Sequence, residues 1–291
     1  DAGLAGKRVL LRVDVNCPLH PETKAFLDDS RLRGILPTLK RLASSRVIIL
    51  AHQSRPGRID FTNMYAHSDL LSRLLGRSIT FVPDVCGEIA QEAIRNMHPR
   101  DMLFLNNVRG HEDEMGLKKA GFDELNESEI VQNLAPLVDV YVNDAFAASH
   151  RNSPSLSGFG KALPCFAGEL MAKEVNALKM ATESPPKPYT AVLGGVKCDD
   201  TLEIAHNLCE RGVVDTIVLV GAVGNLMLWA AGHNIGERNE AFLRKELGDA
   251  FESTWQLSTS LLAEYPEKLL LPVDVAAEVD GKRVDLSLDE L

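Results

Sequence analysis

The feature that most narrows the fold is a repeated alternation. Short runs rich in Val, Ile and Leu recur along the chain, and between them lie segments whose apolar residues fall at helical spacing. The runs predict strands over 8–15, 47–52, 79–82, 102–106 and 138–143, then over 189–193, 216–220 and 269–273. The intervening spacing predicts helices over 31–43, 68–75, 88–97, 127–134, 201–211 and 223–231, and one long helix over 240–264. A strand with one wet face alternates polar and apolar residues. These runs are apolar throughout, as in a parallel sheet whose helical crossovers cover both faces. The expected class is α/β, with doubly wound, Rossmann-like parallel sheets.

A chain of 291 residues is long for one domain and comfortable for two. The stretch "ESPPKP" at 183–188 is the best linker, because its prolines are stiff and non-helical. Just before it, Leu170, Lys173, Glu174, Ala177, Leu178 and Ala181 fall at helical spacing within "CFAGELMAKEVNALKMAT". The expected division is a first domain over 1–165, a connecting helix over 166–184, and a second domain over 185–291.

Composition excludes some partners. A net charge of −10 argues against nucleic acid and anionic membranes. Any anion site must therefore be a local cluster of basic residues. The cysteines, Cys17, Cys86, Cys165, Cys198 and Cys209, are odd in number and form no C-x-x-C pair. Reduced, mostly buried thiols in a cytoplasmic protein are expected. The opening residues lack the long apolar core of a signal peptide. The apolar stretch 216–232 reads as strand, turn and buried helix rather than a membrane span.

Such local clusters recur at the strand ends, where parallel α/β sheets bind ligands. The first strand ends in "RVDVNCP", delivering Asp14 and Asn16. The second ends in "HQSRPG", delivering His52 and Arg55. Arg109 follows the fourth, and His150 and Arg151 follow the fifth. Arg31 opens the first helix. Guanidinium forks match both phosphate and carboxylate, so the set suits a small phosphorylated acid. Singly, each residue has a plainer reading. A lone arginine near a loop is ordinarily a surface charge, and Asp14 and Asn16 also suit turns or caps. Cys17 reads as packing, His67 and His98 as surface residues, and His20 and His111 as loop residues. The repetition at one topological end is what favours function.

In the second half, "AVLGGVKCDD" runs a strand into two glycines, Lys197, and a helix start at Asp199 and Asp200. Glycines let a backbone approach a ligand, and helix N-terminal amides favour phosphate. The alternative is an ordinary strand–helix turn with a capping Asp. A P-loop is absent.

Taken in order, "RVDVNCP", "DDSRLRGILP", "AHQSRPG", "NNVRGHEDE", "NDAFAASHRNSPS", "FAGELMAKE", "LGGVKCDD" and "LPVD" resemble the phosphoglycerate kinase family across nearly the whole chain, in its archaeal-type branch. The resemblance implies a two-domain, hinge-bending kinase. It would move a phosphoryl group between 1,3-bisphosphoglycerate and ADP, giving 3-phosphoglycerate and ATP, with Mg2+ on the nucleotide. It implies a phosphoglycerate site at Asp14, Asn16, Arg31, His52, Arg55, Arg109 and Arg151. Arg31 and Lys197 would serve catalysis. Gly194, Gly195, Val196 and Lys197 would line the nucleotide phosphates, with Ala222 nearer the adenine. A monomer is expected, with a dimer left open.

Two departures qualify this. Many family members carry a second lysine where this chain has Thr201. The family also continues past "LPVD" into a G-G-G-D-T loop and an acidic residue for the ribose, and nothing like them follows Asp274. The second domain is therefore expected to be incomplete, by truncation. Two other readings stay open. One is a non-catalytic phosphoglycerate-binding remnant. The other is an unrelated doubly wound phosphosugar or nucleotide enzyme.

Overall fold

The structure is a computed structural model that describes residues 3–290. The chain divides into two compact units, residues 1–176 and 177–291.

The first unit is built on six strands: β1 (Arg8–Val13), β2 (Arg46–Leu50), β3 (Thr80–Phe81), β4 (Met102–Phe104), β5 (Val140–Asp144) and β6 (Cys165–Ala167). They lie in the order β3-β4-β2-β1-β5-β6, and every pairing is parallel. Its helices are α1 (Ser30–Gly34), α2 (Leu36–Arg41), α3 (Tyr65–Leu75), α4 (Glu88–Arg95), α5 (Glu112–Gly116), α6 (Phe122–Asn126), α7 (Glu129–Leu134) and α8 (Pro154–Ser157), and α9 (Glu169–Glu183) spans the sequence boundary between the two units. The apolar strand runs are explained by two cores. Val9, Leu11, Val47 and Ile49 pack on one face with Leu32, Leu39 and Leu71. The alternate residues Leu10, Ile48 and Leu50 pack on the other with Ile94, Ile130 and Leu134. The pleat sends successive side chains to opposite faces, so a sheet covered twice needs apolar residues at every position.

Several expectations are corrected here. The helix expected over 31–43 is two, α1 and α2, broken where Pro37 enters the first turn of α2 and supplies no N–H. Cys165–Ala167, expected in the connecting helix, is strand β6, paired to β5 from Tyr141↔Cys165 to Asn143↔Ala167. The edge of β5 supplies a ladder that helical periodicity cannot reveal. His67, expected at the surface, is fully buried. It shares a helical face with Leu71 and packs edge-on against Phe26, ring centroids 4.8 Å apart. Helices α5, α6 and α8 are short and were not expected.

The second unit has three parallel strands, β7 (Thr190–Leu193), β8 (Thr216–Leu219) and β9 (Leu269–Leu270), in that order. Its helices are α10 (Cys198–Glu210), α11 (Gly221–Ala230), α12 (Glu237–Leu247) and α13 (Phe251–Glu264). Ala191, Ile217 and Leu219 face a core with Leu202, Leu226, Leu243 and Leu261. Val192 and Leu270, on the opposite side of the pleat, are more than half exposed. The long helix expected over 240–264 is two, because Gly248 takes a left-handed φ of 50° after α12. An unexpected hairpin follows: β10 (Asp274–Val279) and β11 (Lys282–Ser287), antiparallel. Its turn, Asp280–Gly281, has φ of 52° and 73°, as a two-residue type I′ turn requires. Among the described residues, no helix is long and apolar enough to cross a membrane.

Candidate active site

The carboxyl ends of β1, β2, β4 and β5 open onto one constellation. Beyond β1, Asp14 accepts the Asn16 N–H at 3.0 Å and forms a 2.7 Å ion pair with Arg31 at the start of α1. Asn16 Oδ1 accepts the Ser54 N–H at 2.8 Å. Beyond β2, Ala51, His52 and Gln53 are buried, and Ser54 takes a left-handed φ of 55°. This uncommon backbone is held from three sides. Besides the Asn16 contact, its carbonyl accepts from Arg109 at 2.6 Å and its hydroxyl donates to Asp60 at 2.6 Å. Arg55 emerges exposed from that turn.

Arg12 was not anticipated as a site residue. It sits in β1 and is 1% exposed. Its Nη1 donates to the Val13 carbonyl, its Nε to Ser155 Oγ at 2.9 Å, and its Nη2 lies 3.0 Å from His52 Nδ1. A guanidinium only donates, so His52 Nδ1 accepts and the ring proton sits on Nε2. Burial, then the charges of Arg12, Arg109, Arg151 and Arg31, hold the His52 pKa far below its ordinary value. His52 is therefore a neutral, oriented hydrogen-bond donor rather than a base.

Besides Asp14 on Arg31, a buried carboxylate offsets this charge. Glu114 of α5 is buried and accepts from Ser153 Oγ at 2.8 Å, from Ser155 Oγ at 2.7 Å and from the Ser155 N–H at 3.0 Å. Ser155 thus relays between Arg12 and Glu114. Arg109 is pushed down to about 10, first by burial and then by Arg151 and Arg12. It remains charged near neutrality, crowded by like charges that an anion would relieve. Arg12, Arg109, Lys118, His150, Arg151 and Asn152 line a cavity of about 270 Å3. A larger cavity of about 530 Å3 lies by Thr38, Arg41 and Glu169. There Arg41 is paired with Glu169 at 2.8 Å, so the smaller, basic cavity suits an anion better.

The expected residues of the first unit thus converge. Arg31, Arg109 and Arg151 all act on His52, Arg55 acts on Arg109, and Asp14 and Asn16 brace Arg31 and Ser54. Arg12, Gln53, Glu114, Lys118 and Ser155 were missed. Gln53 is fully buried, bridging Cys17 N–H at 3.1 Å and His67 Nε2 at 3.0 Å. A charged residue inside the apolar run "RVLLRV" was the available signal for Arg12.

In the second unit two strand–helix loops meet. Val220 donates its N–H to the Leu193 carbonyl at 2.9 Å. A Cβ on Gly194 would stand 2.6 Å from Val220 Cγ2 and 2.9 Å from its carbonyl oxygen, so only glycine fits. Gly195 has a φ of +114° and nothing within 4 Å of where a Cβ would sit, which leaves its backbone open to a ligand. Val196 and Lys197 follow, exposed, directly before α10. Lys197 itself holds the N-cap position, and no side chain caps α10. Thr201 Oγ1 donates to the Lys197 carbonyl at 2.7 Å. Ala222, in the first turn of α11, packs half-buried against the second core. The amide ends of α10 and α11 beside Lys197 form a cradle suited to phosphate.

The family model described as phosphoglycerate kinase matches residues 1–288. The chain is 43% identical over 293 residues to a phosphoglycerate kinase of Methanothermus fervidus, covering all of this chain and 70% of that protein. It is 42% identical over 291 residues to one of Methanosarcina mazei, covering all of this chain and 68% of that protein. The fold is similar to that of a phosphoglycerate kinase from Pyrococcus horikoshii, with a TM-score of 0.85 and 32% identity over 98% of this chain and 69% of that one. One from Coxiella burnetii gives 0.74 and 30%, over 99% and 70%. The chain thus spans about 70% of the length of the relatives it matches.

Proposed function

Because this chain belongs to the phosphoglycerate kinase family, we propose that it catalyses reversible phosphoryl transfer between 1,3-bisphosphoglycerate and ADP, giving 3-phosphoglycerate and ATP. The observation that carries the reading is the convergence at His52, where Arg12 of β1 lies 3.0 Å from a buried, neutral ring and Arg31, Arg109 and Arg151, from three other segments, bear on it. Such convergent charge has a use when a small dianion arrives.

The first unit is the phosphoglycerate-binding part in this reading. Arg109 and Arg151 hold the phosphate, His52 donates Nε2–H, and Arg55, Asp14 and Asn16 complete the pocket. The second unit is the nucleotide-binding part, with Gly194, Gly195, Val196 and Lys197 on the phosphates and Ala222 towards the adenine. Arg31, anchored by Asp14 yet 42% exposed, is the group for the phosphoryl in flight, and Lys197 its counterpart on the nucleotide. An ADP oxygen attacks the acyl phosphorus and the carboxylate leaves; both are already ionised, so no general base is needed. Positioning and charge neutralisation are what the protein supplies. Mg2+ suits this site as a passenger on the nucleotide phosphates, since the cradle offers backbone amides and a lysine rather than a carboxylate cage. When bound, it neutralises phosphate charge.

The test is a coupled assay on the 291-residue chain with ATP and 3-phosphoglycerate, beside an Arg31→Ala chain purified identically. Turnover that is lost in the variant is expected. Equal turnover in both would remove Arg31 from its role. No turnover in either, with no binding of 3-phosphoglycerate, would overturn the assignment.

A further inference from the structure

Away from the arginine cluster, three segments of the first unit bring a thiol, an imidazole and a carboxylate to one point. Cys86 lies in the loop before α4, His111 is the N-cap of α5, and Glu129 is the first residue of α7. Their ligand atoms all lie within 4.8 Å of one another. His111 Nε2 and Glu129 Oε2 are 3.6 Å apart, too far for a hydrogen bond. Two ligands at about 2.1 Å from a tetrahedral ion would stand about 3.4 Å apart. That pair stands at the spacing of two ligands on a common ion, with the Cys86 thiol within 4.8 Å of both.

We propose that Cys86, His111 and Glu129 form a binding site for a borderline-soft divalent transition cation of the Zn2+ class, with water as the fourth ligand. The donor set is the argument for the class. Thiolate, imidazole and carboxylate together select Zn2+ and its neighbours over Mg2+ or Ca2+, which take oxygen. The surroundings are anionic. Asp113 Oδ2 accepts the Glu129 N–H at 2.7 Å, and Asp84 accepts the Gly87 and Ala90 N–H groups at 3.2 and 3.0 Å in the segment that carries the buried thiol. Binding would release the thiol proton to solvent as the metal–sulfur bond forms. Glu129 is 62% exposed on its side chain and gives the ion a path inward. Its other oxygen accepts from Asn133 at 3.3 Å.

There is a cost. His111 Nδ1 accepts the Asp113 N–H across a long 3.3 Å contact. Coordination through Nε2 moves the ring proton to Nδ1 and gives that contact up, which limits affinity. The site also has a structural consequence. His111 begins α5, the helix that carries Glu114, so a bound ion would pin the helix that supports Ser153 and Ser155.

The test is a titration of the metal-free, reduced chain with Co2+. Expected are one equivalent bound, a thiolate-to-cobalt charge-transfer band in the near ultraviolet, strong four-coordinate visible bands, and displacement by Zn2+. Cys86→Ser should abolish the charge-transfer band, and Cys165→Ser, at the exposed cysteine, should leave it unchanged. Glu129→Gln should weaken binding by at least about tenfold. This exposed position keeps the test valid if circular dichroism shows that Cys86→Ser does not fold. The proposal is overturned by absence of the band in the unmodified chain, by its survival in Cys86→Ser, or by unchanged affinity in Glu129→Gln.

Discussion

Ser155→Ala is the most searching perturbation of the first-unit site. The hydroxyl is fully buried, accepts from Arg12 Nε at 2.9 Å and donates to Glu114 at 2.7 Å. Its loss leaves Arg12 Nε desolvated with no acceptor, costing about 1–3 kcal/mol, and removes one bond to a carboxylate, about 1.5–3 kcal/mol. Glu114 keeps Ser153 Oγ and the Ser155 N–H, and Arg12 keeps the Val13 carbonyl and His52, so part of this is recovered. The net destabilisation should be about 2–4 kcal/mol. For a unit of this size that lowers the thermal midpoint by roughly 5–15 °C. Arg12 is also the group that orients His52, so KM for 3-phosphoglycerate should rise about tenfold, a loss of about 1.4 kcal/mol, while kcat changes less. Ser153→Ala is the internal comparison, because its hydroxyl touches Glu114 and not Arg12. Circular-dichroism melts and steady-state kinetics read both variants. A Ser155→Ala midpoint within about 2 °C of the unmodified chain would refute the relay. So would a Ser153→Ala effect of equal size on KM.

Other outcomes follow from the same geometry. Gly194→Ala drives a Cβ into the Val220 backbone and should cost about 1–3 kcal/mol while weakening nucleotide and not phosphoglycerate binding; equal loss of both ligands by calorimetry would refute the cradle. Acid should destabilise the first unit. Burial holds His52 low and His67 down to about 4, so below the unfolded value of about 6.5 the unfolded chain binds more protons than the folded one. Stability is then lost as pH falls, by about 2 kcal/mol between pH 6 and 5 for the pair. His67→Phe should roughly halve that slope in urea titrations, and an unchanged slope would count against it. Cys165 is the exposed thiol, while the other four are buried and Cys17, Cys86 and Cys198 are held at about 11–12. Alkylation of the folded chain at neutral pH should therefore label Cys165 well before any other, as mass spectrometry would read; early labelling of Cys17 would contradict its burial.

What the sequence determined by itself was local. The period of the apolar residues defined β1–β5, β7–β9 and most helices, and the strand-end motifs named Arg31, Arg55, Arg109 and Arg151. These signals survive because a strand's burial and a loop's glycine are written in consecutive residues. The hairpin at 274–287 belonged to this class too. Its Asp280–Gly281 turn lies between alternating residues and was legible, though unread. Tertiary structure alone decided the rest. Arg12 becomes a site residue because Ser155, 143 positions away, accepts its Nε. Glu114 becomes its counter-charge because two serines far along the chain donate to it. β6 exists because β5 presents an edge, and His67 is interior because Gln53 and Phe26 receive it. A buried polar group is stable only with partners, and partners distant in sequence carry no local pattern that marks them for one another.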